Sequence, residues 1–288
     1  MKPTIRLIHH LPRAGGTAIC KCLGAMNDVT LLSEIHPFNQ GHRATVLSHR
    51  GKILTVSLLE PGDKPLSAET FIFHVLYQAC YWFRLVRPHE LAALSRDLDD
   101  VGVLSLIAQR ASERGDVLVI REWSYVDFWA KPFVPEPTFR LTLAELLGER
   151  FDLKQAFTVR HPLDQWLSWC SWRGVDAESR ALDLDTFMLG CRRFAEIAAR
   201  QRFHRYEDFT MQPSHVLAQI CEDLDVPYDE GYVYRWFNYR TITGDIEGTR
   251  GADKIVPLER RPVDPAVLEA VSNNSDYQAT LALLGYGQ

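Results

Sequence analysis

Short apolar runs that read as buried strands alternate along this chain with longer stretches in which apolar positions recur every three or four residues. Ile5, Leu7, Ile8 and Leu11 make Thr4 to Leu11 a near-continuous apolar segment, as expected of a central parallel strand covered on both faces. A helical pattern follows from about Thr17 to Met26, and VTLLSEI, from Val29 to Ile35, reads as the second strand. Regularity then lapses from Pro37 to about residue 102. This stretch contains the turn signal Pro61-Gly62-Asp63 and the aromatic-rich segment FIFHVLYQACYWF, expected to be a buried helix. Beyond it come a helix from about Val103 to Arg114, a strand from Asp116 to Trp123, a helix over Thr142 to Arg150 and the strand KQAFTVR ending at Arg160. Pro162 opens the next helix, where proline gives up only an amide that had no partner. A helix over Leu184 to Arg200, a strand RFHRYEDF and a helix PSHVLAQICEDL complete the pattern. Strands alternating with helices predict a doubly wound, mostly parallel α/β sheet flanked by helices. The pattern predicts one domain over residues 1–288, with a substrate-specificity insert at about 37–102.

Composition narrows the function classes. The 288 residues are 46% hydrophobic and carry a net charge of -5, so no cationic surface suited to nucleic acid or anionic membrane is expected. The amino terminus lacks an apolar leader pattern and the most apolar stretch is too short to span a bilayer, which points to a cytoplasmic protein. Six cysteines lie scattered without a CxxC pair or a metal-ligand spacing and are expected to be reduced, with Cys20 and Cys22 read as small core residues.

In an open α/β sheet ligands bind beyond the carboxyl ends of the strands, where strand order reverses. At such an end stands LIHHLPRAGGTAI: its glycines let the backbone turn sharply, the next helix points its first amides at an anion, Arg13 adds charge and Thr17 a hydroxyl. No lysine follows Gly16 as a nucleotide-triphosphate loop requires, which disfavours a magnesium-dependent kinase. A second strand ends in RHPLDQWLSW, where Arg160 can grip a phosphate and Ser168, two turns into the helix, can donate to the same group. Trp166, Trp169 and Trp172 recur every three residues and are read as packing.

Taken in order, PRAGGT, RHPLDQWLS, RYEDF and GTRGADKI resemble the sulfotransferases that use 3'-phosphoadenosine 5'-phosphosulfate, over most of the chain from Leu7 to Ile255. The phrases LLSEIHP and IREWSYVDF are similar to bacterial members acting on small molecules, including natural-product pathways. The resemblance implies that Arg13, Gly15, Gly16 and Thr17 cradle the 5'-phosphosulfate, and that Arg160 and Ser168 hold the 3'-phosphate. It also implies that Tyr206 lies at the adenine, and that Arg250 and Gly251 close over the 3'-phosphate. Ala14 and Gly16 stand where the family often has hydroxyls, so backbone amides carry more of the cradle here.

Sulfonate transfer needs an in-line acceptor oxygen, a base and positive charge on the leaving side, and no metal ion is among those requirements. The resemblance places a catalytic histidine in the region of Trp123-Ser124-Tyr125, where this chain has none. The base candidates are Glu122, with Arg121 beside it to steady the sulfonate, and Glu34 or His36 at the end of the second strand, which share one side if strand alternation continues. His9 and His10 are expected to pack, and Glu207 and Asp208 to brace the turn after their strand. The expected acceptor is the hydroxyl, less favourably the amine, of a neutral or cationic small molecule. A P-loop kinase using ATP and an inactive nucleotide-binding module are the competing readings.

Overall fold

The computed structural model describes residues 2–37, 45–49, 52–56, 75–130, 134–171, 182–245 and 254–287. Its centre is a parallel five-stranded sheet. The strands are β1 (Thr4–His9), β2 (Val29–Ile35), β5 (Val117–Glu122), β6 (Asp152–Val159) and β7 (Phe203–Arg205), in the order β2-β5-β1-β6-β7. Between β2 and β5 the chain forms an antiparallel hairpin of β3 (Thr45–His49) and β4 (Lys52–Val56). The alternation of side chains about the pleat sends Leu7 and Ile120 into one core and Ile8 and Val119 into another. Both faces are therefore covered, which explains why these strands read as continuous apolar runs.

On one face lie α1 (Gly16–Gly24) and α9 (Pro213–Leu224), which bury Ile19 and Leu23 with Leu217, Ile220 and Leu224. The other face is packed by α3 (Asp100–Glu113) and α7 (Leu184–Ala198) through Leu104, Ile107, Phe187 and Phe194. Further α-helices among the described residues are α2 (Leu91–Asp97), α4 (Tyr125–Trp129), α5 (Thr142–Gly148), α6 (Pro162–Cys170), α8 (Tyr206–Met211), α10 (Pro265–Asn273) and α11 (Ser275–Leu284).

Several boundaries differ from the sequence expectation for local reasons. Helix α3 starts three residues early because Asp99 caps it, accepting from Gly102 N at 2.7 Å. The strand expected over RFHRYEDF stops at Arg205, and Tyr206 opens α8, whose first turn holds Glu207 and Asp208, a favourable place for acids. Glu207 is a brace: its carboxylate accepts from His161 N at 2.9 Å and from Tyr286 Oη at 2.8 Å. Of the expected helix over 71–83, residues 75–82 are helical, including the π-helical turn Gln78–Trp82, and Phe71 to His74 lie outside the described residues.

Trp166 and Trp169 pack around Phe187 and Tyr125, while Trp172 lies outside the described residues. The six cysteines are free thiols, and burial raises those of Cys20 and Cys221 to about 12. Among the described residues no helix is long and apolar enough to cross a membrane.

Candidate active site

Strand order reverses between β1 and β6, because the chain leaves β1 toward β2 and leaves β6 toward β7. His9 pairs with Phe157, so three residues farther on Pro12 and Arg160 emerge side by side at the sheet's carboxyl edge. Both sequence motifs thus flank the crevice in which such sheets bind ligands. The turn uses two left-handed positions, Arg13 at φ 67° and Gly15 at φ 84°. A Cβ on Gly15 would lie 2.1 Å from the Tyr206 ring, and one on Gly16 would lie 2.2 Å from the His10 imidazole, so these neighbours close in only on glycine. Helix α1 begins at Gly16 without a side-chain cap, which leaves the amides ahead of Ala18 N, itself bonded to Gly15 O at 3.0 Å, to an anion.

The turn lines a cavity of about 530 Å³, the size of a nucleotide-class ligand site. Arg13, Lys21, Arg121, Arg160, Lys254 and Arg261 line it, and among the described residues none that lines it is Asp or Glu, in a chain whose net charge is -5. Ser168, Tyr206 and Trp236 complete its walls. An adjoining cavity of about 280 Å³ shares Arg160, Ser168, Tyr206 and Arg261, and is also lined by Asp164, Glu207 and Glu259. Lys21 stands one turn beyond Thr17 on α1, buried, with its Nζ donating to Asp245 Oδ2 at 2.7 Å and 5.7 Å from the Trp236 ring.

At the floor lies Arg121, 4% exposed, with every guanidinium nitrogen engaged. Its Nε donates to His10 Nε2 at 2.9 Å and Nη1 to Thr243 O at 3.1 Å and Ser33 Oγ at 3.4 Å. Its Nη2 donates to Thr17 Oγ1 at 3.3 Å and lies 3.3 Å from Glu34 Oε1. These contacts fix the tautomer of His10: Nε2 accepts, so Nδ1 carries the proton and donates to Leu11 O at 3.2 Å.

Burial, and then the Arg121 guanidinium, push the His10 pKa down from 6.5 to about 3. An unfolded chain binds that proton near pH 6.5, so between those values the unfolded state holds more protons and stability falls as the pH falls. A His10→Gln variant, which keeps an acceptor for Arg121, is expected to lose about 2 kcal/mol less than the wild type between pH 6.5 and pH 5 in urea denaturation. Equal losses in the two proteins would refute the neutral, buried assignment.

The base candidates separate. Ser33 pairs with Arg121 and Ile35 with Glu122, so Glu34 is skipped by a β-bulge with φ 55°. The bulge breaks the alternation expected to put Glu34 and His36 on one side. Glu34 turns to Arg121, with its side chain 15% exposed. His36 is fully buried with Nε2 3.2 Å from Asp127 Oδ2, a carboxylate that also accepts from Thr138 Oγ1 at 2.6 Å and Thr142 Oγ1 at 2.5 Å. Burial raises the Asp127 pKa, but the bonds from His36, Thr138 and Thr142 outweigh it and leave the pKa below the usual carboxylate value.

Glu122 is fully buried away from the cavity lining, with His9 Nδ1 donating to Oε2 at 2.5 Å and Ser124 Oγ at 3.3 Å. Trp123 and Tyr125 stack in the core at 5.8 Å. Among the described residues no group of three His, Cys, Asp or Glu side chains could hold a metal ion.

No family model matches the chain, and no curated protein does. Solved structures do. A sulfotransferase domain from the curacin biosynthetic pathway superposes with a TM-score of 0.55 at 15% identity, covering 99% of this chain and 98% of its own. A sulfotransferase domain from the Synechococcus PCC 7002 olefin synthase gives 0.56 at 18% identity, covering 100% and 96%.

The chain has the sulfotransferase fold.

Within this sulfotransferase fold the described residues bring together Arg13, Gly15, Gly16, Thr17, Arg121, Arg160, Ser168 and Tyr206 around the cavity, with Glu34 against Arg121. Glu122 and His36 lie apart from it, and Arg250 and Gly251 lie outside the described residues. Sequence reasoning missed His10, expected only to pack, and Lys21, Trp236, Thr243 and Asp245. The single available signal was the helical spacing that puts Lys21 on the face of Thr17.

Proposed function

We propose that this protein transfers a sulfonate group from 3'-phosphoadenosine 5'-phosphosulfate to a hydroxyl, less favourably an amine, of a neutral or cationic small molecule. The observation that carries the reading is the cavity whose lining, among the described residues, has six Arg and Lys side chains and no acid, built on the uncapped start of α1 in a net-negative chain. The sulfotransferase domains that share the fold support it. The glycine cradle and its donors fit a ligand with a phosphate-like group at each end. Arg13, Gly15, Gly16 and Thr17 would hold the 5'-phosphosulfate, Arg160 and Ser168 the 3'-phosphate, and the Tyr206 ring the adenine.

When bound, the donor supplies the sulfonate and carries away the leaving phosphate. Glu34, 15% exposed and held 3.3 Å from the lining residue Arg121, takes the proton from an acceptor oxygen that reaches it past that side chain. Arg121, already engaged at every nitrogen, holds Glu34 and Thr17 in place instead of steadying the sulfonate itself. Thr17 accepts from Arg121, so its own proton remains to donate into the cavity. Arg13, Lys21 and the first amides of α1 gather the negative charge on the leaving side, and these chain groups meet the electrostatic demand of the transfer without calling on a metal ion.

Lys21 at the cavity is the one observation that favours ATP as the ligand, and a melting experiment separates the two readings. 3'-Phosphoadenosine 5'-phosphate at a hundred times its dissociation constant is expected to add about 2.7 kcal/mol, which raises Tm by about 5–10 °C for a chain of this size. ATP with magnesium is expected to give a much smaller shift. Stabilisation by ATP and magnesium alone would overturn the donor assignment.

A further inference from the structure

The turn that forms the anion cradle is held from outside itself. Pro12 O accepts from Gln165 Nε2 at 2.7 Å, and Arg13 O accepts from Arg160 Nη1 at 3.0 Å. Arg13 Nε donates to Ser168 Oγ at 3.0 Å. All three contacts come from one short stretch, the end of β6 and the first two turns of α6. They fall on consecutive residues at the point where Arg13 takes a left-handed φ of 67°, a conformation that persists in a non-glycine residue only when its surroundings impose it. The Tyr206 ring presses on Gly15 and lies 5.2 Å from the Arg160 guanidinium, closing the fourth side.

The holder is itself fixed. His161 N, just before α6, donates to Glu207, and Asp164 on its first turn receives Arg260 at 2.8 and 3.0 Å. Gln165 is 3% exposed and does not line the large cavity, so its amide has no part in touching a ligand there.

We infer that Gln165 is a positioning residue for the anion turn. It is the third point, with Arg160 and Ser168, of a clamp through which α6 sets Pro12 and Arg13, and the clamp ties affinity at one end of a two-phosphate ligand to the other. The identity of the ligand rests on the donor assignment proposed above, whereas the clamp does not. Its consequence is that Arg160 shapes the 5' cradle as well as facing the second cavity. Loss of Arg160 therefore weakens even a ligand that has no 3'-phosphate.

The test combines amide hydrogen exchange of the ligand-free protein with calorimetric binding of 3'-phosphoadenosine 5'-phosphate, adenosine 5'-phosphosulfate and adenosine 3'-phosphate. In Gln165→Leu, exchange within residues 12–17 is expected to quicken about tenfold. Affinity for the two ligands with a 5' group is expected to fall about tenfold, and that for adenosine 3'-phosphate to stay within about twofold. Gln165→Asn, one methylene too short to reach Pro12 O, is expected to behave alike and serves if the leucine variant does not fold. Arg160→Ala is expected to weaken adenosine 5'-phosphosulfate.

Unchanged exchange in both Gln165 variants overturns the clamp, as does an Arg160→Ala protein that binds adenosine 5'-phosphosulfate like the wild type. A wild-type protein that binds none of the three nucleotides sinks the donor assignment, and the exchange data then decide the clamp alone.

Discussion

Glu34→Gln is expected to lower sulfonate transfer about 10²- to 10⁴-fold, the usual contribution of a positioned base, while leaving the affinity for 3'-phosphoadenosine 5'-phosphate close to that of the wild type. Glutamine keeps the shape of the side chain and an oxygen for Arg121 Nη2, so the 3.3 Å contact survives and only the proton acceptor is lost. The measurement is transfer of labelled sulfonate to a panel of alcohols, phenols and amines, with kcat and the donor KM determined separately. Glu122→Gln and His36→Ala are the controls. Both side chains are buried in pairs of their own, Glu122 with His9 and His36 with Asp127, and their loss is expected to appear first as lower stability. A Glu34→Gln enzyme that turns over within about threefold of the wild type, beside an inactive Glu122→Gln protein of normal stability, would move the base to Glu122.

Arg121→Leu is expected to destabilise the fold by about 3–5 kcal/mol, the range for removing one partner of a buried charged network, and so to lower Tm by about 6–20 °C. From β5 the guanidinium joins β2, α1, His10 just past β1 and the segment at Thr243 through a single side chain. Leucine would leave His10 Nε2, Ser33 Oγ, Thr243 O and the Glu34 carboxylate facing an apolar group. The double variant Arg121→Leu, Glu34→Gln is expected to be less destabilised than the sum of the singles, because the uncompensated carboxylate disappears with its partner. Strict additivity in urea denaturation would show that Arg121 and Glu34 are not coupled.

The sheet was legible because its strands are covered on both faces and so carry apolar residues at nearly every position, as Leu7-Ile8 and Val119-Ile120 illustrate. The cradle was legible for a different reason: a turn of this shape needs glycine at φ 84°, and the first amides of a helix need no particular side chain. Residues that act through packing of distant segments left no local trace of their partners. Lys21 meets Asp245 from 224 positions away, and His10 meets Arg121 from 111. Nothing in LPRAGG says that its carbonyls will be caught by a helix beginning at Pro162. The proposed base was illegible for a backbone reason, since period-two alternation is the only rule available for a strand end and β2 abandons it at Glu34.

That one extra residue has a consequence for descent. A bulge is a single-residue insertion in one strand, so a relative that lacks it places a different side chain beside Arg121 without any change in the residues on either side. When relatives are aligned by sequence, Glu34 is expected to fall opposite a gap or a shifted neighbour, and its chemistry to look absent or misplaced by one position. Superposition of backbones, pairing Ser33 with Arg121 and Ile35 with Glu122 first, is the comparison in which its counterparts can be recognised.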